Sequence, residues 1–267
     1  MEVRTIRNRT FSEAYRAAEC LGLALHHQKL FFVEEEQGMK LVGIYAKNRA
    51  EWFMTDWACV QMGFTSIPLY DTLGVENMSY CLNQTGLTTL FVSSATLDTL
   101  VTLKDFGNLR TVISYDPLTP EQVQKAESVK LRVLYFEKLI EEGKELPRLG
   151  EVGTKPDDIY TFSYTSGTTG PPKGVMLSHR NMLSCMATFN THQDAQVHAS
   201  DTYISYLPLP HVMERTISLY AVYKGAHVMY PCLTQRVEWQ QPEAQGRLPN
   251  HPAHSLHFGS PHLQPHC

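Results

Sequence analysis

Apolar residues recur at helical intervals from Phe11 through Ala14, Tyr15, Ala18, Leu21 and Leu25, and Thr10 and Glu13 have the spacing of a capping box. That pattern predicts a helix beginning at Thr10. A short apolar run with polar flanks, Leu41 to Tyr45, predicts a buried strand. Asn48 then reads as the cap of a second helix that runs through Met62, with Glu51 in its first turn and Gly63 as its stop. Trp52, Phe53 and Trp57 on that helix are core residues, because such a helix must bury an apolar face. Strands are predicted at 65–69, 89–92, 111–114 and 131–135, separated by helices near 76–84, 94–104 and 120–129. The last helix starts at Thr119-Pro120, where proline's missing N–H belongs to the unpaired first turn. Strand and helix in alternation predict an α/β fold, a doubly wound and mostly parallel sheet with flanking helices on both faces.

Glu141 to Asp158 is charged and contains Gly and Pro, and reads as a connector. Beyond it, Ile159 to Tyr164 predicts a strand and Val175 to Leu177 its hairpin partner. Ser178 caps a helix from His179 toward Phe189. Strands at 202–207 and 226–230 flank a helix over 212–224. After Gln235 no apolar period survives, and prolines and histidines (His251, His254, His257, His262, His266) dominate. Histidines without a frame do not define a metal geometry, so that end is expected to be disordered. The expected organisation is 1–156, 157–235 and a separate tail over 236–267.

At 267 residues and 43% hydrophobic, the chain is long enough for a substantial core. A formal net charge of −4 gives no polyanion-binding surface, so nucleic acid is not an expected partner. The 6 cysteines have no CxxC pair and read as buried free thiols. No segment is apolar over the length of a bilayer and the start lacks a signal-peptide core, so the chain reads as soluble.

The chemistry concentrates in Tyr164-Thr165-Ser166-Gly167-Thr168-Thr169-Gly170-Pro171-Pro172-Lys173-Gly174. Glycines let backbone N–H groups face an anion, four hydroxyls add donors, and Lys173 adds a positive charge. Lys173 is followed by Gly174 rather than Ser or Thr, so this is not a Walker A loop. The loop is predicted at the tip of paired strands, unlike a glycine loop that enters a helix N-terminus.

This run resembles the phosphate-loop signature of the AMP-forming ligases, the superfamily of acyl-CoA synthetases, luciferases and adenylation domains. Tyr206-Leu207-Pro208-Leu209-Pro210-His211-Val212-Met213-Glu214-Arg215 is similar to its second core motif. Lys47-Asn48-Arg49-Ala50-Glu51-Trp52 and Pro68 to Gly74 resemble the long-chain fatty acid–CoA ligases, against an aryl, short-chain or amino-acid substrate. The resemblance covers about residues 10 to 235, part of the large N-terminal domain. It implies that Thr165, Ser166, Gly167, Thr168, Thr169, Gly170 and Lys173 hold the phosphates of ATP, that Thr165 also meets Mg2+, and that Lys173 and His211 act in catalysis. A long-chain fatty acid and coenzyme A are the implied co-substrates. The full-length protein is expected on the cytoplasmic side, peripheral to endoplasmic reticulum, mitochondrial or peroxisomal membranes. No adenine-, ribose- or coenzyme-binding motif follows, so the chain is expected to be a truncated form that makes no measurable acyl-CoA. The other reading is a non-catalytic product that binds nucleotide or a protein partner.

Overall fold

The computed structural model describes residues 9–150, 154–165, 170–192 and 196–230; the tail expected to be disordered lies outside them. Helix α1 (Phe11–His27) opens as its spacing predicts. The Thr10 hydroxyl accepts the Glu13 N–H at 3.2 Å, and the Glu13 carboxylate accepts the Thr10 N–H at 2.7 Å. The same reciprocal cap, with Gln122 in the third position, starts α5 (Pro120–Ser128) at Thr119.

The strands are β1 (Phe32–Val33), β2 (Lys40–Tyr45), β3 (Phe64–Leu69), β4 (Thr89–Val92), β5 (Thr111–Ser114), β6 (Arg132–Tyr135), β7 (Ile159–Thr165) and β8 (Lys173–Ser178). Their order is β6-β5-β4-β2-β3-β7-β8, with β1 paired antiparallel to β2. All other pairings are parallel except β7 with β8. The chain moves one way from β2 to β3 and then returns past β2 to β4. Right-handed crossovers require the connecting helices to change face at that reversal. They do: α2 (Ala50–Gln61) packs with α1 and α6 (Phe136–Lys144) on one face, and α3 (Val75–Thr85), α4 (Ser94–Leu100) and α5 cover the other.

Both faces are apolar because alternate residues of one strand serve different cores. Val42 and Ile44 of β2 pack with Leu21, Trp52 and Phe136, whereas Leu41 and Tyr45 pack with Leu82, Leu97 and Leu100. A smaller parallel pair, β9 (Thr202–Ile204) and β10 (His227–Met229), is joined through α8 (Val212–Tyr223).

Four expectations are corrected. Glu141 to Lys144 is helical, because Leu139 and Ile140 insert into the α1 core and extend α6 through the supposed connector. Asn48 does not cap α2; Arg49 occupies that position without a side-chain cap bond, and the Asn48 amide is engaged with residues 205–209 instead. That engagement ends β9 at Ile204, short of the strand expected through residue 207. Of the free cysteines among the described residues, Cys59 and Cys81 are buried, but Cys20 is half-buried and Cys185 exposed. Burial pushes the Cys81 thiol up to about 12, which keeps it protonated and inert.

Gly143 sets the closeness of α6 and α1. A Cβ there would lie 1.9 Å from the Cys20 carbonyl oxygen, a backbone atom that cannot turn aside. Gly143→Ala is expected to destabilise the domain by about 1–3 kcal/mol or more, as overpacking does. Urea unfolding checks this through a lowered midpoint at unchanged slope. Gly150→Ala, where a Cβ meets nothing within 4 Å, should leave the midpoint in place.

Candidate functional site

Strand β7 ends at Thr165 and β8 begins at Lys173, and the register places the two residues opposite each other at the mouth of the hairpin. Both are exposed, and the Thr165 hydroxyl donates to the Lys173 carbonyl at 3.4 Å. A hydroxyl and an ammonium thus come from facing strand ends. Gly170 in the connecting loop has φ 113°, a conformation that a side chain resists. Ser166, Gly167, Thr168 and Thr169, which the sequence assigns to the same loop, lie outside the described residues.

The base of the hairpin is fixed by Tyr164. Its ring is buried and its hydroxyl donates to Gln84 Oε1 on α3 at 2.8 Å. The residue opposite is Gly174, where an added Cβ would lie 3.3 Å from that ring. The glycine after the lysine therefore makes room for the aromatic across the ladder. At the far end of β8, Ser178 and Asn181 form the reciprocal cap of α7 (His179–Thr191). His179 packs on Tyr160 at 5.2 Å, and burial lowers its pKa below the usual histidine value.

His211 begins α8. Its Nδ1 accepts the Met213 N–H at 3.2 Å, which leaves the ring proton on Nε2, and the side chain is exposed. Capping thus occupies one ring nitrogen and leaves the other available to a ligand.

One turn further, Arg215 is 1% exposed. Its guanidinium donates to Asp56 Oδ1 at 2.5 Å, Ser66 Oγ at 3.0 Å and Thr161 Oγ1 at 2.6 Å. It also stacks over Tyr160 at 4.5 Å and Trp52 at 5.3 Å. The Tyr160 hydroxyl donates to the other Asp56 oxygen. Burial is the largest influence on Arg215 and opposes its charge, but Asp56 and Tyr160 together outweigh it and hold the guanidinium pKa above its ordinary value. Burial pushes the Tyr160 phenol well up. Glu214 does not pair with Arg215; it accepts from the Tyr203 hydroxyl at 2.8 Å, and burial raises its carboxyl pKa.

The Arg215 cluster joins α8, which starts at His211, to β7, which ends at Thr165. The sequence reading missed Asp56, Ser66, Tyr160 and Thr161. The one available signal was a lone carboxylate inside the apolar run Trp52-Phe53-Met54-Thr55-Asp56-Trp57, which needs a buried partner. Among the described residues, no three His, Cys, Asp or Glu side chains gather as a metal site.

The sequence profile of the family described as AMP-binding enzyme matches residues 3–242. The chain is 36% identical over 220 residues to long chain acyl-CoA synthetase 6, peroxisomal, of Arabidopsis thaliana, covering 82% of this chain and 30% of that protein. It is 37% identical over 191 residues to fatty acyl-CoA synthetase A of Dictyostelium discoideum (70% and 28% covered). Against long-chain-fatty-acid–CoA ligase 5 of Rattus norvegicus the identity is 33% over 214 residues (78% and 31% covered). The chain therefore spans about a third of the length of these relatives. Among solved structures, the A domain of a carboxylic acid reductase from Segniliparus rugosus, in complex with AMP and a co-purified carboxylic acid, superposes with TM-score 0.72 at 20% identity, covering 84% of this chain and 38% of that one. An anthranilate CoA ligase in complex with anthranoyl-AMP gives 0.68 at 22% identity (84% and 40% covered). These likenesses show the fold.

Removing one partner of a buried ion pair strands the other charge. Arg215→Met is therefore expected to lower unfolding free energy by about 3–5 kcal/mol, and Asp56→Asn combined with it should recover a large part of that loss in urea unfolding. The depressed pKa of His179 has a definite sign. Its contribution to stability is complete above the unfolded value of 6.5 and declines as pH falls through the lower folded value. The midpoint difference between wild type and His179→Gln, followed from pH 7.5 downward, should change through that window and level off below it.

Proposed function

The chain belongs to the AMP-binding enzyme family, and on that premise we propose that it is the phosphate-handling part of an AMP-forming long-chain fatty acid–CoA ligase. The reaction joins a fatty carboxylate to the α-phosphorus of ATP, releasing pyrophosphate. The thiol of coenzyme A then displaces AMP from the acyl-adenylate. Two anions must meet in the first step, so positive charge and N–H donors around the phosphates supply most of the assistance.

The observation that carries this reading is Thr165 facing Lys173 across the hairpin mouth. Lys173 bears the positive charge for the β- and γ-phosphates, and the Gly170 conformation keeps side chains out of their path. Ser166, Gly167, Thr168 and Thr169 complete the donors in this proposal. The hydroxyl of Thr165 would offer Mg2+ a single oxygen, a number that suits an ion usually bound through few protein groups together with phosphates and water. Magnesium, when bound, draws charge from the phosphate oxygens. His211, whose Nε2 has no hydrogen-bond partner among the described residues, orients the fatty carboxylate against the α-phosphate.

The relatives' names support the acid, and the blocks at Asn48 and Pro68 agree with it. Among the described residues, no helix is long and apolar enough to cross a membrane. The proposal extends to peripheral work on the cytoplasmic side of an organelle membrane by the full-length protein.

Calorimetric titration of this chain with MgATP tests the assignment. Lys173→Ala should weaken binding by about 10- to 100-fold, the value of a lost hydrogen bond to a charged group. It should leave the thermal midpoint unchanged, because Lys173 is exposed. Equal affinity for wild type and variant, or no binding by wild type, would remove the phosphate role from the loop of this chain.

A further inference from the structure

Asn48 stands just beyond β2, beside the reversal between β2 and β4 where doubly wound sheets place their ligands. A side-chain amide has two donor hydrogens and an acceptor oxygen. Here all are spent on one segment more than 150 residues away. Asn48 Nδ2 donates to the Leu207 carbonyl at 2.5 Å and lies 3.1 Å from both the carbonyl and the hydroxyl of Ser205. Its Oδ1 accepts the Leu209 N–H at 2.8 Å.

The segment between those contacts is not held by burial. Tyr206 is 60% exposed and Leu207 36% exposed, while Ser205 and Leu209 at its two ends are fully buried. The bonds continue directly to the histidine. The Pro208 carbonyl accepts the His211 N–H at 2.9 Å, and the His211 carbonyl accepts the Arg215 N–H at 3.2 Å. Asn48 itself rests on a fixed base: Arg49 next to it bonds Glu51 and Asp116, both at 2.9 Å, and stacks over Tyr115 at 5.0 Å.

We propose that Asn48 is the positioning residue for His211. By holding residues 205–209 it sets the turn from which the imidazole emerges, and so lets Nδ1 meet the Met213 N–H, the bond that leaves the ring proton on Nε2. The importance of this for catalysis rests on the proposed role of His211, but the geometry can be tested without it. A helix-capping amide at this position would have served α2 alone; instead the amide couples the first crossover of the sheet to the second motif.

The test uses the 267-residue chain with 15N-labelled histidine. The His211 ring signals are identified by their disappearance in His211→Gln. In the wild type a single tautomer gives two well-separated ring-nitrogen resonances. In Asn48→Ala these should collapse toward the average of a freely exchanging histidine, with the His179 signals unmoved. Asn48→Asp keeps an acceptor for Leu209 but loses both donors and brings a carboxylate oxygen against two carbonyls, so the same collapse is expected. Unchanged His211 signals in a folded Asn48→Ala protein would overturn the proposal. Loss of folded signals in both variants would also overturn it, by assigning Asn48 to the folding core. The readout needs no nucleotide, so it stands or fails separately from the Lys173 titration.

Discussion

A buried ion pair is the constraint on which the arrangement of this domain depends. Asp56 and Arg215 are 0% and 1% exposed, and neither charge is tolerable in an apolar interior alone. Ser66, Thr161 and Tyr160 share the two groups, so four elements are located by one cluster: α2, β3, β7 and α8. The apolar cores on either side of the sheet make these elements pack. The ion pair specifies where α8 sits along β7, which a nondirectional hydrophobic contact does poorly. Because α8 starts at His211 and β7 ends at Thr165, the same cluster orients both candidate motifs without being part of either.

Much of the fold was legible in the sequence because local rules and tertiary demands agree. Thr10 with Glu13, Thr119 with Pro120, and Ser178 mark helix starts by chemistry that acts within one turn, and the structure uses each one. The hairpin at Thr165 and Lys173 was legible for the same reason, with two apolar strands enclosing a glycine-rich connection. Failures came where a residue answers to a distant partner. Asn48 has the composition and position of a helix cap, but residues 205–209 offer it four contacts where α2 offers one. Asp56 is a lone carboxylate in an apolar run, and no local pattern announces that its partner lies at position 215. Lys144 ends a helix that charge composition concealed, since only the α1 core reveals which of its residues point inward.

The candidate site combines rigid and open parts in a consistent way. Tyr164 is fixed by burial and by Gln84, Gly174 accommodates its ring, and the next pair outward, Thr165 and Lys173, faces solvent. Reactive groups are thus mounted one residue beyond the last packed rung of a ladder, close enough to inherit its register and far enough to meet a ligand. His211 follows the same plan at the start of α8, with Arg215 as its buried anchor one turn inward.

The separation of Asp56 from Arg215, 159 residues, also has a meaning in time. A ribosome releases α2 and the first six strands of the sheet well before α8, so the emerging chain holds an acidic group in its forming core with no counter-charge yet made. Until Arg215 emerges, that carboxylate must stay hydrated or lie in an opened edge of the nascent domain. Long-range closure of this kind is slow relative to local helix formation. The pairing of Asp56 with Arg215 therefore completes late, after the strands that it links have already been made.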